Sequence, residues 1–528
     1  MNLLKGMKQA LGGALVAGAA LVAAHGALAQ QVTLSSYDGS ITLRGNLVEF
    51  DGQNYRIATA IGEITIDAFQ VSCEGEACPP PSLLASEFTI AGSNTIGASL
   101  MPALIEAYAF ALDADLAQTM TDQEGVDDFA IQDLSGADIA SITLSSTGSS
   151  DGLQALFQGE AQLAMASRPV REREVAAFVG AGLGDPTSPG QEHIVGLDGL
   201  IAIVSRSNPI QSISVDNLAR IFAGQITNWS QIGGPDAPVS VYARDADSGT
   251  RASFEALVLE PFGLSVTPRA QVFSSNAELS DAVAADPFGI GFVGFASERN
   301  ARAIGIQEVC GIVTAPTPFA IKAEEYPLAR RLYLYQTNEA LPPVAQNLVD
   351  FIESDEAQDV VAQNGFIDQA ISSARIDEQG RRLATAMFSA EDAAQLFQLR
   401  ELAQTLVSAE RLSTTFRFQP GSSLLDVRAQ ADARRLAEYL SSGEYDNREV
   451  LILGFTDSIG RPDLNQALSF RRAQQVLDEV LAAASPGALA GVEFTVAGYG
   501  EISPLGCNET FNGRRINRRV EVWVRDRV

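Results

Sequence analysis

Between residues 87 and 252 a short apolar run passes four times through a small polar turn and on toward helical sequence, an alternation that commits this region to an α/β fold. The runs are Phe88-Thr-Ile-Ala91, Ile142-Thr-Leu-Ser145, residues 161–166 and Val239-Ser-Val-Tyr242. The turns are Gly92-Ser93-Asn94-Thr95-Ile96-Gly97, then Ser146-Thr147-Gly148-Ser149-Ser150-Asp151-Gly152, then Ser167-Arg168-Pro169, and lastly Arg244-Asp-Ala-Asp-Ser248-Gly249-Thr250-Arg251. A helix N-terminus presents unpaired N–H groups and a partial positive charge, and glycine lets an anion approach the backbone. Hydroxyls add short donors, and arginine adds a forked cation suited to tetrahedral or carboxylate oxygens. Three such turns with two arginines would enclose one dehydrated oxyanion. Taken singly, each turn also reads as a plain connection, with Glu172 as a partner for Arg168 and Asp245 or Asp247 for Arg244.

The first 29 residues read as a secretory signal: Lys5 and Lys8, an apolar stretch from Ala10 to Ala24, and the small-residue cleavage site Ala27-Leu28-Ala29. Cleavage leaves 499 residues with one lysine, Lys322, and one histidine, His193, and moves the formal charge from −29 to −31. No multi-histidine metal site can form from these, and a lysine nucleophile or a Ser/His/Asp triad would rest on a single candidate. The expectation is therefore a protein without catalysis, metal or cofactor. Strong acidity argues against nucleic acid, whose phosphates attract basic surfaces. No apolar run of about twenty residues follows the signal, so no transmembrane helix is expected in the mature chain. His193 reads as a surface or packing residue between elements. Of the four cysteines, Cys73 and Cys78 flank a short acidic loop, and export favours a small disulfide there, with two free thiols as the alternative. Cys310 and Cys507 remain unassigned.

Composition breaks divide the mature chain. Residues 30–80 read as a small β module, closed by Pro79-Pro80-Pro81, and residues 87–370 as the α/β body. Residues 375–410 read as a helical linker, with Leu383, Met387, Ala393, Leu396, Leu399 and Leu402 recurring at helical spacing. Residues 411–528 form a last α/β pattern holding 15 arginines and 15 acids, so the whole negative charge lies before it.

The body at 87–370 resembles a periplasmic solute-binding protein of the phosphate-binding (PstS-like) type, most closely at Arg244-x-x-x-Ser248-Gly249-Thr250. The resemblance implies a bilobal type II periplasmic-binding-protein fold closing on phosphate or a similar oxyanion. It implies that Arg244, Ser248, Gly249 and Thr250 hold the anion, with Thr95, the Ile96 amide and Ser149, and with Ser167 and Arg168 at the third turn. Phe288-Gly-Ile-Gly-Phe-Val-Gly294 resembles the family's return strand. Some members carry an aspartate where this chain has Arg168, in Met165-Ala-Ser-Arg-Pro169. Arginine adds donors there and removes the acceptor that would reject sulfate.

Residues 411–528 resemble the α+β OmpA-like peptidoglycan-binding domain at Gly454-Phe-Thr-Asp457-Ser-Ile-Gly460, Asn465, Leu468-Ser469-Phe-Arg-Arg472-Ala473, Gly498-Tyr-Gly-Glu501 and Asn517-Arg-Arg-Val-Glu521. The resemblance implies that Asp457 and Arg472, with Asn465, grip the zwitterionic diaminopimelate of the wall peptide, carboxylate to ammonium and guanidinium to carboxylate. Together the two resemblances imply an exported receptor in the periplasm of a Gram-negative envelope, held at peptidoglycan or the outer membrane and serving an ABC permease. The competing expectation is a structural or sensing protein of the envelope whose receptor lobe binds another anion or a partner.

Overall fold

The computed structural model describes residues 31–527, apart from 37–40, 51–53, 60–61, 69–70, 76, 80–85, 124, 247, 376–379, 389, 391 and 426. The expected signal at 1–29, two of the three prolines and Asp247 lie outside the described residues.

The N-terminal module is a five-stranded antiparallel sheet in which Gln31–Ser36 lies between Thr42–Phe50 and Val71–Glu74. Its one-sided core is small: Val32, Leu34, Tyr55, Ile57, Ala68 and Val71. A disulfide between Cys73 and Cys78 closes its last strand.

The α/β body is organised by two long strands that belong to both lobes. Glu192–Val204 is buried along all 13 residues, as a nearly continuous apolar run should be when both faces are covered. It pairs antiparallel with Ala329–Tyr335, and sheets extend from this pair in both directions. In the first lobe Ser86–Gly92 pairs parallel with Leu163–Ala166 and with Asp138–Ser145. In the second, Gly289–Gly294 pairs with the long strand and with Ser240–Arg244. Each lobe has its own core, one around Leu104, Ile142 and Leu348, the other around Phe222, Phe254 and Phe292. His193 falls within the long strand rather than between elements, and it is buried, with Nδ1 2.8 Å from Glu353 Oε1.

The C-terminal sheet runs Ser373–Arg375, Ala409–Arg417, Arg519–Asp526, Arg448–Phe455, Glu493–Gly498. Strand alternation sorts its apolar residues to two faces. Val450, Ile452, Val520 and Val522 meet helices Val427–Leu440 and Pro462–Ala483. Leu451, Leu453, Phe455 and Trp523 meet Leu399, Leu402 and Leu406 of helix Ala393–Leu406. The segment expected as a linker thus supplies one cover of the C-terminal body, while Met387 and Leu396 face solvent.

The C-terminal body is seated on the hinge strands. A disulfide joins Cys310 to Cys507. Arg428 donates to both oxygens of Glu192 (2.6 and 3.0 Å), Arg411 pairs with Glu325, Arg331 pairs with Asp432 (3.4 Å), and Arg417 donates to the carbonyls of Ala323 and Glu324.

Candidate functional site

Three turns of the first lobe lie side by side at the ends of its parallel strands. Ser93 N donates to Met165 O (2.9 Å), and Gly148 N donates to Gly92 O (2.7 Å). Gly92 has φ 137° and a Cβ there would fall 2.1 Å from Met165 O, so this crossing admits only glycine. Gly152 is equally constrained, its Cβ position lying 2.4 Å from Gly92 Cα, which lets helix Ser149–Gln158 start hard against the first strand. Ser149 Oγ accepts from Ser167 N (3.1 Å) and sits 3.4 Å from Ser167 Oγ.

The second lobe brings helix Gly249–Phe254 to the same place. Ser248 caps it through Arg251 N (3.3 Å), and a Cβ on Gly249 would lie 2.6 Å from Thr95 Oγ1 and 2.8 Å from Thr95 N. The lobes therefore touch where the Thr95 turn meets the Gly249 helix start, with Ile96 buried beneath.

The two arginines are held differently. Arg168 donates to Glu174 (2.9 and 2.8 Å) and to Ser150 Oγ (3.0 Å), so its carboxylate is Glu174 rather than Glu172. Burial pushes the Glu174 carboxyl up, but the Arg168 hydrogen bond and the Arg171 amide outweigh it and hold the group below its usual range. Arg244 is engaged by its own lobe: Nη1 donates to Asn276 Oδ1 (2.7 Å), Nη2 to Ser274 O (2.7 Å) and Nε to Phe273 O (3.2 Å), with Asp245 at 3.5 Å. Asn276 also donates to Thr250 Oγ1 (3.4 Å), so Arg244 reaches the helix start through Asn276.

The residue that local motifs miss is Arg330. It sits on the hinge strand, donates twice to Asp198 (2.6 and 3.1 Å) and once to Thr95 Oγ1 (3.4 Å), and its buried Nη1 has no partner among the described residues. The Ser93 hydroxyl, also buried, has none either. A buried donor without an acceptor is costly, and an acceptor placed there would relieve that cost. The signal for Arg330 was present as a charge in the run Ala329-Arg-Arg-Leu-Tyr-Leu-Tyr335, matched by Asp198 within the apolar stretch 194–204 of its partner strand.

In the C-terminal domain Asp457 and Arg472 are both buried, and each is held by its own partners. Asp457 Oδ2 accepts from Arg518 Nη1 (2.8 Å) and Oδ1 from Ile459 N (3.1 Å). Arg472 lies over the Phe418 ring and donates to Ser422 O (2.8 Å) and Gln419 O (3.0 Å), while its Nη1 lacks a partner. Burial and then repulsion from Arg518 push the Arg472 guanidinium down to about 10. Asn465 donates to Asp457 O (3.3 Å) and Glu501 Oε2 (2.9 Å), bracing the loop. Arg518 is thus the direct side-chain partner of Asp457.

A PBP superfamily domain matches residues 116–356, and an OmpA family domain matches residues 417–518. The phosphate-binding protein PstS of Borreliella burgdorferi is 30% identical over 232 residues, 43% of this chain and 79% of that protein. This chain belongs to the PstS family. Among solved structures, the PstS-like part is similar to an ABC-type phosphate transport receptor from Vibrio cholerae, at 26% identity over 53% of this chain and 99% of that one (TM-score 0.41). The OmpA domain is similar to the peptidoglycan-associated lipoprotein of Burkholderia pseudomallei, at 26% identity over 21% of this chain and 90% of that one (TM-score 0.19). Among the described residues of this PstS family member, no helix is long and apolar enough to cross a membrane.

Proposed function

We propose that the protein is an exported, non-enzymatic receptor that captures phosphate or a similar oxyanion between its lobes and is held at peptidoglycan by its OmpA domain, supplying ABC-type uptake. The observation that carries the reading is the meeting of the Thr95 turn with the Gly249 helix start, beside Ser149, Ser167 and Arg168 and the unpartnered Arg330 Nη1. Hydroxyls, amides and guanidinium groups are the donors that hold an oxyanion. Calorimetry on the mature protein tests this: phosphate binds, and Arg168→Ala and Arg330→Met each weaken it at least tenfold, roughly the loss of one charge-assisted hydrogen bond. No heat with phosphate, sulfate or arsenate sinks the reading.

For the wall, Arg472 Nη1 and the Asp457 carboxylate are the groups offered to the diaminopimelate carboxylate and ammonium. Sedimentation of the protein with insoluble peptidoglycan should fall on Asp457→Ala, and equal pelleting refutes that site. The seating of the OmpA domain on the strands shared by the lobes favours a second role, sensing at the wall, because tethering restricts a receptor's diffusion to a permease. Deletion that impairs growth only under phosphate limitation supports uptake, whereas envelope defects at any phosphate level support the second role.

A further inference from the structure

Ser149, Ser167, Arg168 and Arg330 also line a cavity of about 590 Å³. Its wall is shared by three bodies: the Ser149 and Arg168 turns of the first lobe, residues from 252–260 of the second lobe with residues from 329–333 of the shared strand, and Arg428 and Arg515 of the OmpA domain. One water takes roughly 30 Å³ of liquid, so a five-atom oxyanion fills a small part of this space. The volume lies within the range of pockets that enclose whole organic ligands, about 300–1,000 Å³.

The lining describes the occupant. Six arginines and four carboxylates face the cavity, a positive excess inside a chain whose formal charge is −29. The excess has an anchoring end and a distal end. At the first, Arg330, with a side chain 5% exposed and an unpartnered Nη1, lines the cavity together with Ser149, Ser167 and Arg168. At the second, Arg515 is 40% exposed, donating to Asn512 Oδ1 (3.2 and 3.1 Å) and paired at 3.7 Å with Glu324. Between them Leu257, Ala256 and the Tyr333 ring give an apolar wall, with Arg428 stacked 5.0 Å over Tyr333. A cation at each end and an aromatic face between suit a body carrying hydroxyls rather than a bare ion.

We infer that the cleft takes a phosphate monoester of sugar size, whose phosphoryl group meets Ser149, Ser167, Arg168 and Arg330 and whose polyol reaches Arg515 of the OmpA domain. The inference rests on the cleft being an oxyanion site, and it makes the OmpA domain part of the receptor's ligand selection as well as its anchor.

The test is calorimetry on the mature, oxidised full chain with inorganic phosphate and with glucose 6-phosphate. The ester should bind at least about tenfold tighter than phosphate, one further charge-assisted contact. Arg515→Ala should lower the ester-to-phosphate affinity ratio about tenfold, and Leu257→Trp, which fills the apolar wall, should lower it as well. The second variant covers the case in which Arg515→Ala disturbs the domain seat. If phosphate binds but the ester binds no tighter, or both variants leave the ratio unchanged, the extended ligand is refuted while the oxyanion reading stands. If neither compound binds, both fall.

Discussion

The buried pair Arg330–Asp198 offers the sharpest test of how the hinge and the anion site are joined. Both side chains are 5% exposed, and Arg330 spends two of its donors on Asp198. Asp198→Asn keeps the shape and removes the charge, leaving a buried guanidinium without its counter-ion. Breaking a buried pair in this way costs about 3–5 kcal/mol. For a body of this size, with about 2–4 °C of melting temperature per kcal/mol, the expected fall is roughly 6–20 °C. Phosphate in excess should raise the melting temperature of Asp198→Asn more than that of the wild type, because the anion replaces the missing charge on a state only the folded protein offers. The double variant Asp198→Leu with Arg330→Met removes both charges; it should recover most of the stability, since replacing a buried pair by apolar groups is close to neutral or favourable. It should not recover phosphate binding. Differential scanning calorimetry with and without phosphate reads all three. A double variant that binds phosphate like the wild type would show that Arg330 serves only the hinge.

Three further outcomes follow from the same geometry. Gly249→Ala places a Cβ 2.6 Å from Thr95 Oγ1 and 2.8 Å from the Thr95 amide, so it wedges the lobes apart; phosphate affinity should drop roughly tenfold, about 1–3 kcal/mol of overpacking, and small-angle scattering should report a wider cleft. Cys310 and Cys507 are 197 residues apart, and on chain-entropy grounds their bridge is worth about 5 kcal/mol, so Cys310→Ser with Cys507→Ser should split one melting transition into two while both domains stay folded. Burial pushes Glu324 up, but Arg331, Arg515 and Arg417 hold it down at about 2 against 4.5. Its folded value is depressed, so its contribution, roughly 3 kcal/mol, is complete above pH 4.5 and is lost as pH falls toward 2. The slope of stability against pH in that window should flatten by about one proton in Glu324→Gln.

What the sequence disclosed follows the range of the interactions concerned. The turns at Gly92, Gly148, Ser167 and Ser248 were legible because each is local: a strand end and a helix start within ten residues, with a glycine in all but the third. Arg330 was not, because its contact with Thr95 spans 235 residues and depends on how the hinge strand crosses the lobes. The direction of Arg244 was equally hidden, since its acceptors Ser274 O and Asn276 Oδ1 lie some thirty residues on and compete with any ligand. In residues 375–410 helical spacing was visible, but which face is covered was not. Leu399 and Leu402 are buried against Leu451, Leu453, Phe455 and Trp523 of strands later in the chain, and Leu396, on the same recurrence, is exposed. The Cys310–Cys507 bridge could not be read from spacing, because closure entropy grows only slowly with loop length and excludes no long pairing.

The distribution of charge takes on a different meaning once these contacts are in place. Fifteen arginines against fifteen acids in residues 411–528 read as the neutrality of a module that meets a zwitterionic peptide. In the folded chain several of those arginines are directed at the receptor instead. Arg428 takes Glu192, Arg411 takes Glu325, and Arg417 takes the Ala323 and Glu324 carbonyls, all at or beside the two strands that both lobes share. A domain tethered to one lobe alone would leave hinge motion free. One that grips the hinge itself must shift whenever the lobes reorient. The strand from Ala409 to Arg417 leads directly into Phe418 and Gln419, which cradle Arg472 of the proposed wall site. Receptor and anchor therefore share one short stretch of backbone, and occupancy of either site is expected to alter the affinity of the other by the same factor, as linkage requires. Phosphate titrations repeated in the presence of a soluble diaminopimelate peptide measure that factor, and a value of one would mean that the shared segment is rigid and the two sites independent.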